Sequence, residues 1–371
     1  MRLESVKLYN YRNLADAELC FGPGVNFISG ANGQGKTNLL EAIYLLSGAR
    51  SFRTNELSEL CRWLTSECSV FGSVCRKAYD VELGVAVSGG KRRFFKNNQP
   101  LKSATELIGE LLCVAFTPSD LSLVQGGAQE RRRFLDRFLV ALQPIFTKTL
   151  LEYEVALKNK RRLLKDGVYS EAMYEPWNRI LAQTGRVITS QRMKWAAILI
   201  EAANGYYQEL TAEDGRLELN LKNQLLAGDS ELDEQKIFSE LMLRLPQELR
   251  AKTALFGPHR DELVINLGSR PARSFASQGQ TRSIVLALML AVVKLLEDKT
   301  GEAPIVVFDD VDAELDARRL AAFMRLLFLE DRQIFVSGTQ VRDKLGGGKE
   351  SALFSVEYGV VKSAAGHSGT V

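Results

Sequence analysis

Histidine and cysteine are scarce in this sequence, which has two histidines and five cysteines among 371 residues. Zinc sites in proteins use closely spaced Cys-x₂₋₄-Cys pairs, whereas Cys61, Cys68 and Cys75 are each seven positions apart. The histidines, His259 and His367, are far from them. We therefore expect buried free thiols, without a structural metal site or disulfides.

Long apolar runs are also missing. The longest extends from Ile284 to Val293, well short of the ~20 residues that a membrane-spanning helix needs. The first ten residues alternate like a strand, carry charges and contain no apolar stretch typical of a signal peptide. These features predict a cytoplasmic protein without a membrane partner.

An excess of charge of one sign is absent too, since 48 Lys and Arg are set against 45 Asp and Glu. The net charge of +3 neither indicates nor excludes nucleic acid, so a basic binding surface would have to be local. Each local basic run could contact DNA or form a solvated face, and Glu130 and Asp136 could pair with the second. The three runs are Lys91-Arg92-Arg93, Arg131-Arg132-Arg133 and Lys158-Asn159-Lys160-Arg161-Arg162.

The composition, with 46% apolar and 25% charged residues, is that of a folded protein with a substantial core. Strand and turn patterns dominate up to about Leu112, helical patterns follow from about Pro118 to Arg250, and strands and helices alternate afterwards. The pattern predicts an α/β domain assembled from both chain ends, with a helical insertion between them.

One motif determines the class of the protein. It follows the apolar strand pattern VNFIS and precedes the helical pattern NLLEAIYLL. Glycines let backbone N–H groups surround a phosphate, and the positive end of the helix points at the same group. The lysine can reach the β- and γ-phosphates of ATP, and the threonine can hold Mg²⁺. The motif is Gly30-Ala31-Asn32-Gly33-Gln34-Gly35-Lys36-Thr37.

A second part of the site is the apolar strand Ile305 to Phe308, which ends in Asp309 and Asp310. We expect Asp309 to bind Mg²⁺ through water. Asp310 occupies the position where ABC-type ATPases carry the glutamate that polarises the attacking water. Because aspartate is one methylene shorter, we hypothesise slow intrinsic hydrolysis.

A third part is Ser277-Gln278-Gly279-Gln280, which opens an apolar helix. Serine and glycine at a helix N-terminus can bind an anion, although simple helix capping explains the pattern as well. ATP already has one phosphate loop, so Ser277 and Gly279 would act on the ATP of a second subunit. Together with Glu314-Leu315-Asp316, they indicate an ABC-type ATPase head that closes as a dimer over two nucleotides.

On these residues the sequence resembles the RecF family. The blocks are the N-Y-R-N-L run, GANGQGKTNLLEAIYLLSGARSFR, AFTPSDLSLVQGGAQERRRFLD, FGPHRDEL, SQGQTR and FDDVDAELD. The resemblance implies an ABC-type head with an inserted helical arm and no long coiled coil. It also implies an ATP-driven homodimer that binds duplex or gapped DNA or strand junctions, hydrolyses ATP slowly, and works with RecR and RecO to load RecA.

The resemblance also assigns roles to individual residues. It implies that Arg12 lies near the nucleotide and that Asp316 is the acid of the D-loop, a few residues after the metal-binding aspartate. Two departures from the wider ABC pattern stand out: a hydroxyl, Ser337 or Thr339, replaces the switch histidine, and the segment VAFTPSD has no clear glutamine. Gln125 or Asp120 are the candidates for that position.

We predict an α/β fold with a two-lobed ABC-type ATPase head made of residues 1–115 and 251–362, a helical lobe at 116–250 and a disordered tail at 363–371. Three other interpretations compete. A chromosome-organising head would need a coiled coil that this chain is too short to hold. A transporter ATPase subunit would need a membrane partner. A non-catalytic module in which ATP only cements the dimer remains compatible with the sequence.

Overall fold

The computed structural model describes residues 1–48, 51–211, 215–225, 233–310, 317–328, 332–338 and 351–363. The chain divides into two compact units. The first comprises Met1–Leu121, Gly205–Asp214 and Ser277–Val371, and the second comprises Ser122–Asn204 and Gly215–Ala276. As the sequence pattern predicts, the first unit is assembled from both ends of the chain around an insertion.

In its described part, the first unit contains two six-stranded sheets. One is antiparallel, with the order β2-β1-β4-β5-β6-β7, and the other is mainly parallel, with the order β15-β14-β3-β13-β12-β8. The strands of the first sheet are β1 (Arg2–Tyr9), β2 (Ala17–Cys20), β4 (Cys68–Cys75), β5 (Asp80–Ser88), β6 (Lys91–Lys96) and β7 (Gln99–Leu101). Those of the second are β3 (Val25–Ser29), β8 (Cys113–Phe116), β12 (Ile305–Phe308), β13 (Ile334–Gly338), β14 (Ala352–Glu357) and β15 (Val360–Ser363).

Among the described residues, three α-helices accompany these sheets: α1 (Lys36–Leu45), α9 (Gln278–Thr300) and α10 (Ala317–Phe328). Residues of α1 and of both sheets share one hydrophobic cluster, for example Leu39, Val70 and Phe335. Helix α9 is long and apolar enough to cross a membrane by composition, but 72% of its most apolar window is buried inside the protein. Burial in the core therefore accounts for its apolar character.

The second unit holds the helices α2 (Ser122–Gln125), α3 (Ala128–Leu142), α4 (Phe146–Lys165), α6 (Glu234–Leu243), α7 (Leu245–Ala251) and α8 (Ala272–Phe275). Helix α5 (Glu175–Thr211) belongs to this unit as far as Asn204. With 37 residues, α5 is the longest helix of the described chain, so the structure confirms that no long coiled coil is present there.

This unit differs from the helical lobe predicted at 116–250. It begins at Ser122 and leaves Gly205–Asp214 to the first unit. It also extends beyond residue 250 to Ala276, and it contains a three-stranded sheet of β9 (Leu217–Lys222), β10 (Glu262–Leu267) and β11 (Arg270–Pro271). The physical reason is that β10 pairs with β9 along its whole length, from Glu262–Lys222 to Leu267–Leu217. A strand following the helical zone therefore joins the insertion rather than the head.

The residues of the second basic run form ion pairs and hydrogen bonds inside this unit. Arg131 is buried and donates to Glu262 at 2.5 Å, while Arg132 donates to the backbone oxygen of Asp261. Arg133 pairs with Glu130 at 3.0 Å on the surface. The guanidinium groups of Arg131 and Arg132 are thus committed to internal contacts, and this run does not form a free patch of three cations.

The third basic run lies on helix α4, which buries one of its cations and exposes the others. Lys160 of α4 is fully buried and pairs with Glu248 of α7 at 2.6 Å. Lys158, Arg161, Arg162 and Lys165 are exposed. Their spacing of three and four residues places these four cations along one side of α4.

His259 provides a prediction about the pH dependence of stability. Burial lowers its pKa from 6.5 to about 3. Its Nδ1 lies 2.6 Å from the Tyr153 hydroxyl, and its Nε2 lies 3.3 Å from the Ala254 oxygen. In the neutral ring, Nε2–H therefore donates to Ala254 and Nδ1 accepts from Tyr153.

Because the folded-state pKa is depressed, this contribution to stability is present above pH 6.5 and is lost as the pH falls toward 3. Between pH 7 and pH 5, we expect the unfolding free energy of His259→Gln to fall by about 1–2 kcal/mol less than that of the wild type. Urea unfolding at both pH values measures this difference. Equal pH dependence of the unfolding free energy in His259→Gln and in the wild type would contradict the prediction.

Candidate functional site

The phosphate-loop motif forms a tight turn between β3 and α1. Gly30, Gly33 and Gly35 adopt φ angles of 152°, 80° and 123°, which favour glycine. A Cβ atom on Gly30 would lie 2.4 Å from the backbone oxygen of Val356 in β14. No side chain of the described residues caps the start of α1, so its first N–H groups can receive an anion.

Lys36 lies at the inner side of this turn. It is 8% exposed, and its Nζ donates to the backbone oxygens of Gly30 at 2.7 Å and Ala31 at 3.0 Å. The loop therefore folds around the ammonium group of its own lysine. Gln34 of the loop is also held by its side chain, whose Oε1 accepts from the Tyr358 N–H.

Asp309 lies where the sequence predicts, directly after strand β12. Its Oδ1 accepts from the Thr37 hydroxyl at 2.9 Å and from the Ser337 hydroxyl at 2.7 Å. Burial raises its pKa, while the hydrogen bonds from Ser337 and Thr37 and the charge of Arg53 oppose that rise. These donors favour the charged carboxylate.

A carboxylate and a threonine hydroxyl in contact form the oxygen donor set that Mg²⁺ prefers. Thr37 and Asp309 thus fit the predicted metal site. Ser337, one of the two hydroxyl residues predicted in place of a switch histidine, belongs to the same hydrogen-bonded group. Thr339, the other one, lies outside the described residues.

Asp310 follows directly and lines the same cleft. Its φ angle of +55° is unusual for a residue other than glycine, and its N–H donates to the Ser337 hydroxyl at 2.9 Å. A residue held in this way has a fixed backbone direction, as active-site residues often have.

The cleft beside the loop has a volume of about 590 Å³. It brings the phosphate loop and the two strand-end aspartates together with residues to which the sequence analysis assigned no role, above all Phe52 and Arg53. The sequence signal for them was their place at the end of the block that begins at Gly30, where Arg53 is a cation shortly after α1. The lining residues are Asn32, Gly33, Gly35, Lys36, Thr37, Asn38, Phe52, Arg53, Thr117, Pro118, Ser119, Asp309, Asp310 and Ser337.

The candidates for the missing glutamine are placed differently. The Asp120 carboxylate accepts from the Thr117 N–H at 2.8 Å and from the Thr117 hydroxyl at 2.9 Å. It therefore stabilises its own turn, and Thr117 and Ser119 line the cleft instead. Gln125 is exposed in the second unit.

Arg12 does not line the cleft in the described part of the chain. Its guanidinium makes a two-pronged ion pair with Glu41 of α1, in which Nη2 donates to Oε1 at 2.7 Å. Glu41 is fully buried, and the Ser51 hydroxyl also donates to it. Arg12 thus fixes α1 to the segment after β1, and its predicted proximity to nucleotide stays a prediction.

Ser277 caps α9, and its hydroxyl accepts from the Gln280 N–H at 3.2 Å. The capping interpretation is therefore correct as geometry, and the role of Ser277 at the nucleotide of a second subunit stays a prediction. At Gly279, a Cβ would lie 2.6 Å from Nη1 of Arg319. Neither Ser277 nor Gly279 is among the lining residues of the cleft, and Glu314, Leu315 and Asp316 lie outside the described residues.

Comparison with known proteins agrees with this arrangement. Residues 2–346 match the model of the RecF/RecN/SMC N terminal domain. The chain is 34% identical over 365 residues to the DNA replication and repair protein RecF of Myxococcus xanthus (strain DK1622), covering 97% of this chain and 96% of the relative. It is 32% identical to RecF of Clostridioides difficile (strain 630), covering 98% of each.

Solved structures give the same result. The chain matches the recombination mediator protein RecF with ATP in the RecFOR pathway at a TM-score of 0.89, with 31% identity over 98% of this chain and 97% of that one. An Smc head bound to the C-winged helix domain of ScpA matches at a TM-score of 0.58 and 16% identity, covering 98% and 97%, and shows the fold alone. The phosphate loop, the strand-end aspartates and these matches over nearly the whole chain lead to one conclusion: the protein belongs to the RecF family of SMC-like ABC ATPases.

Proposed function

We propose that this protein is an ATP-dependent DNA-binding switch of recombinational repair and replication restart. Binding of ATP drives a dimer that holds duplex or gapped DNA, and slow, DNA-stimulated hydrolysis resets it. The observation that carries this proposal is the hydrogen-bonded group of Thr37, Asp309 and Ser337 beside the glycine loop. The protein would act in the cytoplasm, on nucleoid DNA.

Within the cleft, each residue has a distinct role in the proposal. The loop from Gly30 to Gly35 surrounds the phosphates, and Lys36 turns its ammonium from the loop carbonyls toward the β- and γ-phosphates. Thr37 and Asp309 would hold Mg²⁺, which neutralises phosphate charge when it is bound. Asp310 orients the attacking water, and Arg53 adds a second cation at the phosphates.

The other main candidate is a non-catalytic module in which ATP only cements the dimer. The shorter side chain of Asp310 favours it, because its carboxylate reaches less far than that of glutamate. Single-turnover hydrolysis with and without duplex DNA separates the two. Measurable, DNA-stimulated product formation supports the switch, and turnover as fast as a motor ATPase would contradict slow hydrolysis.

Dimer closure is proposed to use Ser277 and Gly279 against the nucleotide of the opposing subunit. Support comes from the exposed N-terminus of α9, which lies outside the cleft of its own chain. An ATP molecule in that cleft would gain its second set of contacts from a partner. Such contacts to the γ-phosphate bias a two-state closure.

Ser277→Arg should leave ATP affinity of the monomer within about threefold of the wild type and abolish the ATP-dependent dimer. The added side chain blocks the helix start sterically, whereas the cleft is untouched. Light scattering after size exclusion, with a non-hydrolysable ATP analogue, measures the mass. Ser66→Arg, at an exposed serine of the same unit, is the matched control. Dimerisation of Ser277→Arg would overturn the cross-subunit role.

DNA contact is proposed for the exposed cations of α4, namely Lys158, Arg161, Arg162 and Lys165. Four cations on one helix face make a denser positive surface than Lys91 and Arg93, the exposed members of the first basic run on β6. Phosphate contacts of this kind release counterions, so binding weakens steeply with salt.

The experiment compares two matched double variants by anisotropy of a labelled gapped duplex, with and without Mg-ATP, at several salt concentrations. We expect Lys158→Ala/Arg161→Ala to bind about tenfold more weakly, with a salt slope reduced by about two. Lys91→Ala/Arg93→Ala should lose less than about threefold. DNA affinity that does not change with ATP would contradict the switch. A larger loss of affinity in Lys91→Ala/Arg93→Ala than in Lys158→Ala/Arg161→Ala would mean that β6, and not α4, carries the DNA-binding surface.

The proposed partners are RecR and RecO, which together with this protein would place RecA on gapped DNA. The support is the similarity to structures of RecF in the RecFOR pathway. Binding of purified RecR and RecO from the same bacterium, with and without ATP, tests this part of the proposal.

A further inference from the structure

A surface turn carries two large apolar residues that the proposed switch does not use. Trp63 and Leu64 are adjacent and are 87% and 93% exposed. Tryptophan is a costly residue to leave in water and is strongly enriched among the residues that dominate binding at protein interfaces. A Trp-Leu pair at the tip of a turn is therefore a feature that folding alone does not explain.

The turn is fixed in shape by hydrogen bonds. The Thr65 N–H donates to the Arg62 oxygen at 2.9 Å, and the Thr65 hydroxyl donates to the same oxygen at 2.8 Å. The Arg62 N–H donates to the Asn10 oxygen at 2.7 Å. A binding element that is already ordered loses less conformational entropy when a partner docks.

Leu64 itself is held in an unfavourable conformation. Its φ angle is +67°, in the left-handed region that bulky side chains avoid. A glycine or asparagine would meet this turn geometry without strain. The sequence thus places a large apolar side chain at a position where the backbone disfavours it, as is typical of functional sites.

The charges around the turn indicate which kind of partner fits. Between residues 56 and 67 the acids Glu56, Glu59 and Glu67 are exposed. The one cation of that segment, Arg62, donates to Asp16 at 2.6 Å. An apolar turn in an acidic segment of the chain disfavours a polyanion such as DNA and complements an apolar pocket with a basic rim.

We propose that the Trp63–Leu64 turn is a protein-docking element that inserts into an apolar, basic-rimmed pocket of an assembly partner. This inference rests on the proposed function, in which the protein acts with RecO and RecR. The turn is tied to the nucleotide loop through the segment after β1. Arg62 donates to the Leu14 oxygen at 2.8 Å, and the adjacent Asn13 donates to the Gln34 oxygen at 3.1 Å.

The test uses the full-length protein and purified RecO and RecR of the same bacterium as probes, measured by biolayer interferometry. Trp63→Ala and Leu64→Gly should each weaken binding of one of these proteins at least tenfold. Leu64→Gly removes the side chain and relieves the backbone strain, so impaired folding cannot explain its loss of binding. ATP affinity and DNA binding should stay within twofold of the wild type.

Tyr169→Ala is the control, because Tyr169 is an aromatic residue that is 82% exposed in the second unit. If the wild type binds RecO or RecR and Trp63→Ala binds equally well, the docking element is refuted while the proposed function stands. If the wild type binds neither protein, both the docking element and the proposed partnership fail. If Trp63→Ala instead weakens binding to DNA alone, the turn is a DNA contact and the proposal is wrong.

Discussion

Lys36→Met is expected to weaken ATP binding at least 100-fold, a loss of about 2.8 kcal/mol. The wild-type ammonium is held by two loop carbonyls at 2.7 and 3.0 Å, within reach of the phosphates in the same loop. Methionine has a similar shape but supplies neither charge nor hydrogen bond donors, and charge-assisted hydrogen bonds are the strong ones. Isothermal titration calorimetry with ATP measures the effect.

The matched control is Lys7→Met on β1, where Lys7 pairs with Glu18 at the surface at 3.2 Å. This variant should bind ATP like the wild type. Loss of ATP binding should also abolish the ATP-dependent dimer and any stimulation of DNA binding, because both depend on the filled cleft. Normal ATP affinity in Lys36→Met would refute the role of the phosphate loop.

Lys160→Met is expected to destabilise the protein by about 3–5 kcal/mol, because it leaves the carboxylate of Glu248 buried without its cation. Both side chains are fully buried, with Nζ and Oε2 2.6 Å apart. Burial lowers the pKa of Lys160, and the charge of Glu248 opposes this shift. Glu248 also accepts from the Leu255 N–H at 2.7 Å, so the pair joins α4 to the chain after α7.

Urea unfolding of Lys160→Met, Glu248→Gln and the double variant measures the coupling between the two residues. The double variant should be more stable than Lys160→Met alone, since it contains no unpaired buried charge. Lys158→Met, at an exposed position of the same helix, is the control and should change stability by less than about 0.5 kcal/mol. A loss of unfolding free energy below about 1 kcal/mol in Lys160→Met would contradict the prediction, because it would mean that water or local rearrangement stabilises the unpaired carboxylate of Glu248.

The sequence by itself determined the fold class and the centre of the site. The phosphate loop is contiguous, so strand, glycines, lysine and helix are visible as one local pattern from Val25 to Leu45. The apolar strand ending in Asp309 is equally local. The phosphate loop follows β3 and Asp309 follows β12, and both strands belong to the mainly parallel sheet. Only β13 lies between these two strands, and this arrangement brings the Thr37 hydroxyl to 2.9 Å from the Asp309 carboxylate.

Only the tertiary structure decided what the charged residues do. Arg131 and Lys160 belong to basic runs that look alike in the sequence, yet each is neutralised by an acid more than 80 positions away, Glu262 and Glu248 respectively. Arg12 is likewise directed to the buried Glu41, whereas Arg53 reaches the cleft. The choice of ion-pair partner depends on long-range packing and on the cost of burying an unpaired charge, and the local spacing of residues reveals neither.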